Sequence, residues 1–123
     1  MSFAERFDAV LFDLDGTLIE TAPDLCGALN YTLGQAGRDG VELHQVRHMI
    51  GDGARVMLRL GLEATGQAPS DGDIEQWFDV LLAYYWDHVA DESFAFAGVL
   101  PALDTLRAAG LKLAVCTNKP VAM

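Results

Sequence analysis

Basic residues are scarce in this chain of 123 residues. Eight Lys and Arg stand against 18 Asp and Glu, which gives a formal net charge of −10 at pH 7. Such an acidic balance argues against nucleic acid and anionic membrane surfaces as partners. A small anionic substrate remains compatible with it, because a local cation can reverse the field inside a cleft.

Cysteines and long apolar runs are scarce as well. Two cysteines, Cys26 and Cys116, are too few for a disulfide framework. No apolar run approaches the roughly 18 residues that a membrane-spanning helix requires, and we expect no signal peptide, since residues 1–6 lack its basic and apolar pattern. We therefore expect a cytoplasmic protein with reduced thiols.

Two carboxylates directly follow a short apolar run. Residues 9–12 are continuously apolar, which favours a strand covered on both faces of a parallel sheet, and Asp13 and Asp15 come next. An Asp-Gly pair between hydrophobic segments is also typical of a β-hairpin turn. We favour a ligand site over a plain hairpin, because such sheets bind ligands beyond the carboxyl ends of their strands.

A second strand with a polar end is predicted near the other end of the sequence, over residues 111–116, and the segment Thr117-Asn118-Lys119-Pro120 follows it. Together with Asp13-Leu14-Asp15-Gly16-Thr17, this segment resembles the first two motifs of the haloacid dehalogenase (HAD) superfamily of phosphatases. Within that superfamily, the two segments look most like the phosphoglycolate phosphatase branch. The resemblance implies an α/β fold: a HAD-like Rossmannoid core, partial here with two parallel strands, and an inserted helical cap.

The resemblance also implies a chemistry, namely Mg²⁺-dependent hydrolysis of a small phosphorylated metabolite, 2-phosphoglycolate, through an aspartyl-phosphate. Asp13 would be the nucleophile, and Asp15 the general acid and then the base. The Asp13 carboxylate and the Asp15 backbone carbonyl would hold the metal. The phosphate would be bound by four residues of the two motifs: Gly16, Thr17, Thr117 and Asn118. A sugar phosphomutase of the same superfamily is an alternative.

Helical periodicity dominates the region between the two motifs. It predicts helices over about residues 21–36, 43–50, 54–64 and 73–91, with Thr21 as a possible N-cap, and a further helix over 102–109 that Pro101 opens. Four helices suffice for a small bundle. We therefore expect a helical cap over residues 20–94, inserted between the core segments 1–19 and 95–123.

Three residues between two predicted cap helices are candidates for substrate binding. Gly51 and Gly53 precede a helix whose backbone N–H groups can face an anion, and Arg55 could bind a substrate carboxylate. The alternative is a flexible turn with a solvated Arg55. Lys119 is interpreted as a solvated side chain of the second motif.

The chain ends at Met123, before the lysine and the acidic pair that form the third and fourth motifs of the superfamily. We therefore expect the N-terminal half of a phosphatase, with little or no activity as a 123-residue chain. Open strands favour pairing with another copy, so a homo-oligomer is expected. A catalytically inactive fragment that only binds a partner or itself is the alternative from another class.

Overall fold

The helices and strands follow one another in an α/β order. The computed structural model describes residues 2–119, so Met1 and the predicted core residues 120–123, Pro120 included, lie outside the description. After a 3-10 turn at Phe3–Glu5, the first half contains β1 (Ala9–Phe12), β2 (Ile19–Glu20), α1 (Ala22–Gln35) and α2 (Leu43–Arg47). The second half contains α3 (Ala54–Thr65), α4 (Asp71–Asp87), β3 (Phe94–Ala95), α5 (Val99–Ala108) and β4 (Lys112–Val115).

Two small sheets connect to the helical region. β1 and β4 pair in parallel with Phe12 opposite Val115, so both strands end at the same edge. β2 and β3 pair antiparallel, with Ile19 opposite Ala95, where the chain enters and leaves the four helices α1–α4. The sequence predicts the parallel pair and misses the antiparallel one, since two-residue strands are too short to show a period.

Helices α1, α3 and α4 pack around one apolar core. Its fully buried side chains include Leu29 of α1, Leu58 and Leu62 of α3, and Leu81 of α4. Gly61 allows α3 to approach α1 closely, because a Cβ atom at this position would lie 2.8 Å from Leu29 Cδ1. The core thus lies among the helices rather than under the parallel sheet. No helix within residues 2–119 is long and apolar enough to cross a membrane.

Several helix boundaries differ from the predicted ones. α4 begins at Asp71 because Ser70 caps it: Ser70 Oγ accepts from Asp73 N at 3.1 Å, and Ser70 N donates to Asp73 Oδ2 at 2.9 Å. Thr21 is the N-cap residue of α1 as predicted, but its side chain makes no capping hydrogen bond. α5 begins at Val99, so Pro101 lies within its first turn instead of opening it.

Each face of the parallel sheet carries an exposed apolar side chain within the described residues. Leu11 of β1 is 68% exposed on one face, and Val115 of β4, which pairs with Phe12, is 51% exposed on the other, although the continuous apolar run predicts cover on both faces. Exposed apolar strands are consistent with the expected self-association, which stays a prediction.

Candidate active site

The common edge of β1 and β4 brings the two predicted motifs together. Cys116 N donates to Phe12 O at 2.8 Å, which holds the last residues of the strands side by side. Asp13 and Asp15 follow one strand, and Asn118 and Lys119 follow the other; all four line a single cleft. Residues more than 100 positions apart in the sequence therefore share one site, as the parallel pairing predicts.

The loop after β1 is a tight turn that presents its two carboxylates at the strand end. Asp13 is exposed, and its Oδ1 accepts from Leu14 N at 2.9 Å. Gly16 has a φ of +78°, in the left-handed region that favours glycine, and its N–H donates to Ile19 O at 2.8 Å. Turn chemistry and a ligand site therefore coexist here, because the chain reverses immediately after Asp15 and leaves both carboxylates beyond β1.

Asp15 faces a buried cation. Lys119 Nζ lies 3.3 Å from Asp15 Oδ1, and the two side chains are only 10% and 19% exposed. That oxygen accepts no hydrogen bond from the described residues, so the contact is an ion pair rather than a well-directed hydrogen bond. The expectation of a solvated Lys119 is wrong, because a charge at this depth needs a partner and Asp15 provides one.

Tyr85 of α4 is the second partner of Lys119. The Lys119 ammonium donates to the Tyr85 hydroxyl and lies 4.5 Å from the centroid of its ring. Tyr85 is 3% exposed, and this burial raises the pKa of its phenol, while hydrogen bonding and charge from Lys119 act in the opposite direction. A neutral Tyr85 therefore holds the cation against the loop after β1.

The opposite wall of the cleft belongs to the helical region and is mostly apolar. The cleft encloses about 560 Å³ including its open mouth, and this wall is formed by Leu25, Ile50, Gly51, Gly53, Ala54, Met57, Leu82 and Tyr85. Asn118 Nδ2 donates to Gly51 O at 3.2 Å, which links the loop after β4 to this wall. Gly51 and Gly53 have φ values of +127° and +96°, which side chains disfavour.

The structure does not bring Arg55 to the cleft. Its guanidinium pairs with Glu75 and lies 4.0 Å from the centroid of the Phe78 ring. It lines a separate surface groove with Arg59 and other residues of α3 and α4. As a substrate contact Arg55 stays a prediction, and one that would require it to leave both partners.

Three further predicted residues belong to the same loops without lining the cleft. Gly16, Thr17 and Thr117 are exposed. Thr117 Oγ1 accepts from Lys119 N at 3.1 Å, so its hydroxyl shapes the turn that carries the lysine. Sequence reasoning missed Lys119 and Tyr85 as site residues. The position of Lys119 inside a motif was an available signal, whereas Tyr85 resembles any apolar residue of an amphipathic helix.

The carboxylates suit a hard cation in their donor chemistry. Mg²⁺ is bound in proteins by one or two carboxylates together with substrate phosphate oxygens and water. Asp13 and Asp15 supply such oxygens at the mouth of the cleft. No group of three or more His, Cys, Asp or Glu side chains within residues 2–119 is placed to hold a metal. The fit is therefore one of donor type, with part of the coordination left to substrate and solvent.

Known proteins combine the same motifs and fold. The model of the haloacid dehalogenase-like hydrolases matches residues 7–123, and the chain belongs to that family. This membership confirms the predicted α/β fold with a partial HAD-like core. Among curated relatives, a phosphoglycolate phosphatase of Caulobacter vibrioides is 47% identical over 115 residues, which is 89% of this chain and 46% of that protein. Phosphoglycolate phosphatase 1 of Pseudomonas aeruginosa is 38% identical over 129 residues, 98% of this chain and 47% of its own length.

Solved structures agree with this assignment. A crystal structure of a predicted phosphoglycolate phosphatase from Haemophilus somnus 129pt superposes with a TM-score of 0.85 at 28% identity, covering 94% of this chain and 53% of the other. The chain spans about half the length of the relatives it matches.

Proposed function

We propose that the full-length protein hydrolyses a phosphomonoester, 2-phosphoglycolate, through an aspartyl-phosphate. The observation that carries the proposal is the meeting of Asp13, Asp15 and Lys119 at the shared end of β1 and β4, beside an open cleft. The two relatives named above, both phosphoglycolate phosphatases, support the choice of substrate.

The proposed reaction uses the two carboxylates in sequence. An oxygen of ionised Asp13 attacks phosphorus and the bond from phosphorus to the substrate oxygen breaks. Asp15, which takes up a proton from solvent before this step, gives that proton to the departing alkoxide. Asp15, now ionised, then accepts a proton from a water molecule whose oxygen attacks phosphorus of the aspartyl-phosphate. The bond from phosphorus to Asp13 breaks, so inorganic phosphate leaves and both side chains regain their initial states.

The position of Asp15 beside the cleft supports this role. Its side chain is 19% exposed and lines the cleft, while its Oδ1 is buried against Lys119. When bound, Mg²⁺ would screen the repulsion between the carboxylates and the phosphate dianion. We assign its binding to the Asp13 carboxylate and the Asp15 backbone carbonyl, and phosphate binding to Gly16, Thr17, Thr117 and Asn118.

We retain residues 20–94 as the proposed cap. Its helices provide the apolar wall opposite the two motif loops. Such a wall excludes water from the bound phosphate ester and strengthens the electrostatic contacts made there. The division between cap and core stays a proposal at the residue level.

Turnover of the Asp13→Asn variant tests the mechanism. In the full-length protein with Mg²⁺, release of inorganic phosphate from 2-phosphoglycolate should fall by a factor on the order of 10³ or more, because the amide cannot act as the nucleophile. Asp8→Asn, at an exposed acid just before β1, is the matched control and should leave turnover unchanged.

Undiminished hydrolysis by the Asp13→Asn variant would refute the covalent mechanism. Transfer of the phosphoryl group back to a sugar phosphate, without release of inorganic phosphate, would instead identify the phosphomutase alternative.

A further inference from the structure

We propose that Lys119 binds the carboxylate of the substrate and thereby selects carboxylate-bearing phosphomonoesters. The inference rests on the proposed function and adds a residue that determines specificity. Among the described residues that line the cleft, Lys119 is the one cationic side chain, and Asp13 and Asp15 are the acidic ones. A substrate with a phosphate and a carboxylate brings two anionic groups into this cleft, and the second needs a cation of its own.

The distance from Lys119 to Asp15 matches the size of such a substrate. A general acid lies about 2.6–3.2 Å from the oxygen that it protonates. In 2-phosphoglycolate one methylene separates that oxygen from the carboxylate carbon, so the carboxylate oxygens lie roughly 3 Å from it by ordinary bond lengths. Lys119 Nζ is 3.3 Å from Asp15 Oδ1. A substrate whose leaving oxygen meets Asp15 therefore has its carboxylate within reach of Lys119.

The ammonium group of Lys119 is already held in place, and not all of its N–H donors have a partner among the described residues. Lysine has three N–H donors; one is directed to the Tyr85 hydroxyl, and a second faces Asp15. At least one remains for a ligand. Because the side chain is only 10% exposed, binding the ligand costs little additional side-chain ordering, and the contact forms in a low-dielectric setting.

Arg55 is poorly placed for the same role. It pairs with Glu75, packs on Phe78 and lines the other groove. To reach the substrate it would have to break a pair that is already satisfied. Lys119 needs no such rearrangement.

Binding to the full-length Asp13→Asn protein, which does not turn over, tests the inference. Calorimetric titrations with Mg²⁺ would compare 2-phosphoglycolate with ethyl phosphate, in which a methyl group replaces the carboxylate. Adding Lys119→Met should weaken the binding of 2-phosphoglycolate by about 10- to 100-fold, which is the range for a lost charge-assisted hydrogen bond. It should weaken the binding of ethyl phosphate by less than about threefold. Lys112→Met is the matched control, because Lys112 is the other lysine of the chain and is exposed on β4.

Four outcomes separate the possibilities. A selective loss with Lys119→Met and none with Lys112→Met supports the inference. An equal loss for both ligands would overturn it and make Lys119 a phosphate-binding residue, and a selective loss with Arg55→Ala alone would move the carboxylate contact to Arg55. Failure of both ligands to bind when Lys119 is intact, together with no release of phosphate from 2-phosphoglycolate by the wild-type protein, would overturn the proposed function and the inference. If circular dichroism shows that Lys119→Met does not fold, Lys119→Gln takes its place with the same expected selectivity.

Discussion

The close approach of α3 to α1 at Gly61 gives a stability prediction with a definite sign. An alanine Cβ at this position would lie 2.8 Å from Leu29 Cδ1 and 3.0 Å from Cδ2. Leu29 is 0% exposed and surrounded by other core side chains, so it cannot swing into solvent. Gly61→Ala should therefore force a shift of the packed helices.

Two opposing effects determine how much Gly61→Ala changes the free energy of unfolding. Replacing glycine by alanine inside a helix stabilises the fold by about 0.8–1 kcal/mol through backbone entropy, whereas overpacking a core costs about 1–3 kcal/mol. Gly27 of α1 isolates the first effect, since it is exposed and a Cβ there would meet nothing within 4 Å. Gly27→Ala should thus raise the free energy of unfolding. The free energy of unfolding of the Gly61→Ala variant should be about 1–3 kcal/mol lower than that of the Gly27→Ala variant.

Urea denaturation with linear extrapolation measures both variants. Leu29→Ala in the Gly61→Ala background should cost less than Leu29→Ala alone, because the smaller side chain relieves the contact. If Gly61→Ala stabilises the protein as much as Gly27→Ala does, the reasoning from this helix contact fails.

A buried carboxylate and a buried thiol lead to two further predictions. The buried Asp24 carboxylate accepts from Glu92 N at 3.0 Å and Ser93 Oγ at 2.6 Å, so Asp24→Asn should lower the free energy of unfolding by about 1–3 kcal/mol; a change within error in urea denaturation would contradict this. Burial raises the pKa of the Cys26 thiol, which leaves less reactive thiolate at pH 8. Iodoacetamide should therefore label Cys26 more slowly than the exposed Cys116. Peptide mass spectrometry measures both rates, and equal rates would count against a buried Cys26.

The strand ends could be predicted from sequence because short local patterns determine them. A continuous apolar run followed by Asp13 indicates where β1 stops, and the same pattern before Thr117 indicates the end of β4. Parallel pairing then brings the two loops to one edge without further information. The predicted cleft residues Asp13, Asp15 and Asn118 follow from this step alone.

The surroundings of the charged side chains could not be predicted in the same way. Whether Lys119 is solvated or buried depends on how α4 packs, since Tyr85 comes from that helix and no local pattern links the two residues. Arg55 follows a glycine-rich turn that suggested an anion site, yet its direction is decided by Glu75 and Phe78 across the helix interface. The contacts of long flexible side chains depend on how the surrounding helices pack, and a local sequence pattern does not contain that information.

The site divides its tasks between the two strand ends and the helices. The strand-end loops carry the carboxylates, and the helices supply the apolar wall and Tyr85. Two side-chain contacts join these parts: Asn118 with the Gly51 carbonyl, and Lys119 with Tyr85. A shift of the helices away from the strands would break both contacts together and release Lys119 from one of its two partners. The placement of the cation beside Asp15 therefore depends on the position of the helices. If Lys119 binds the substrate carboxylate as proposed, the helical region contributes to substrate choice even though Lys119 itself belongs to the second motif.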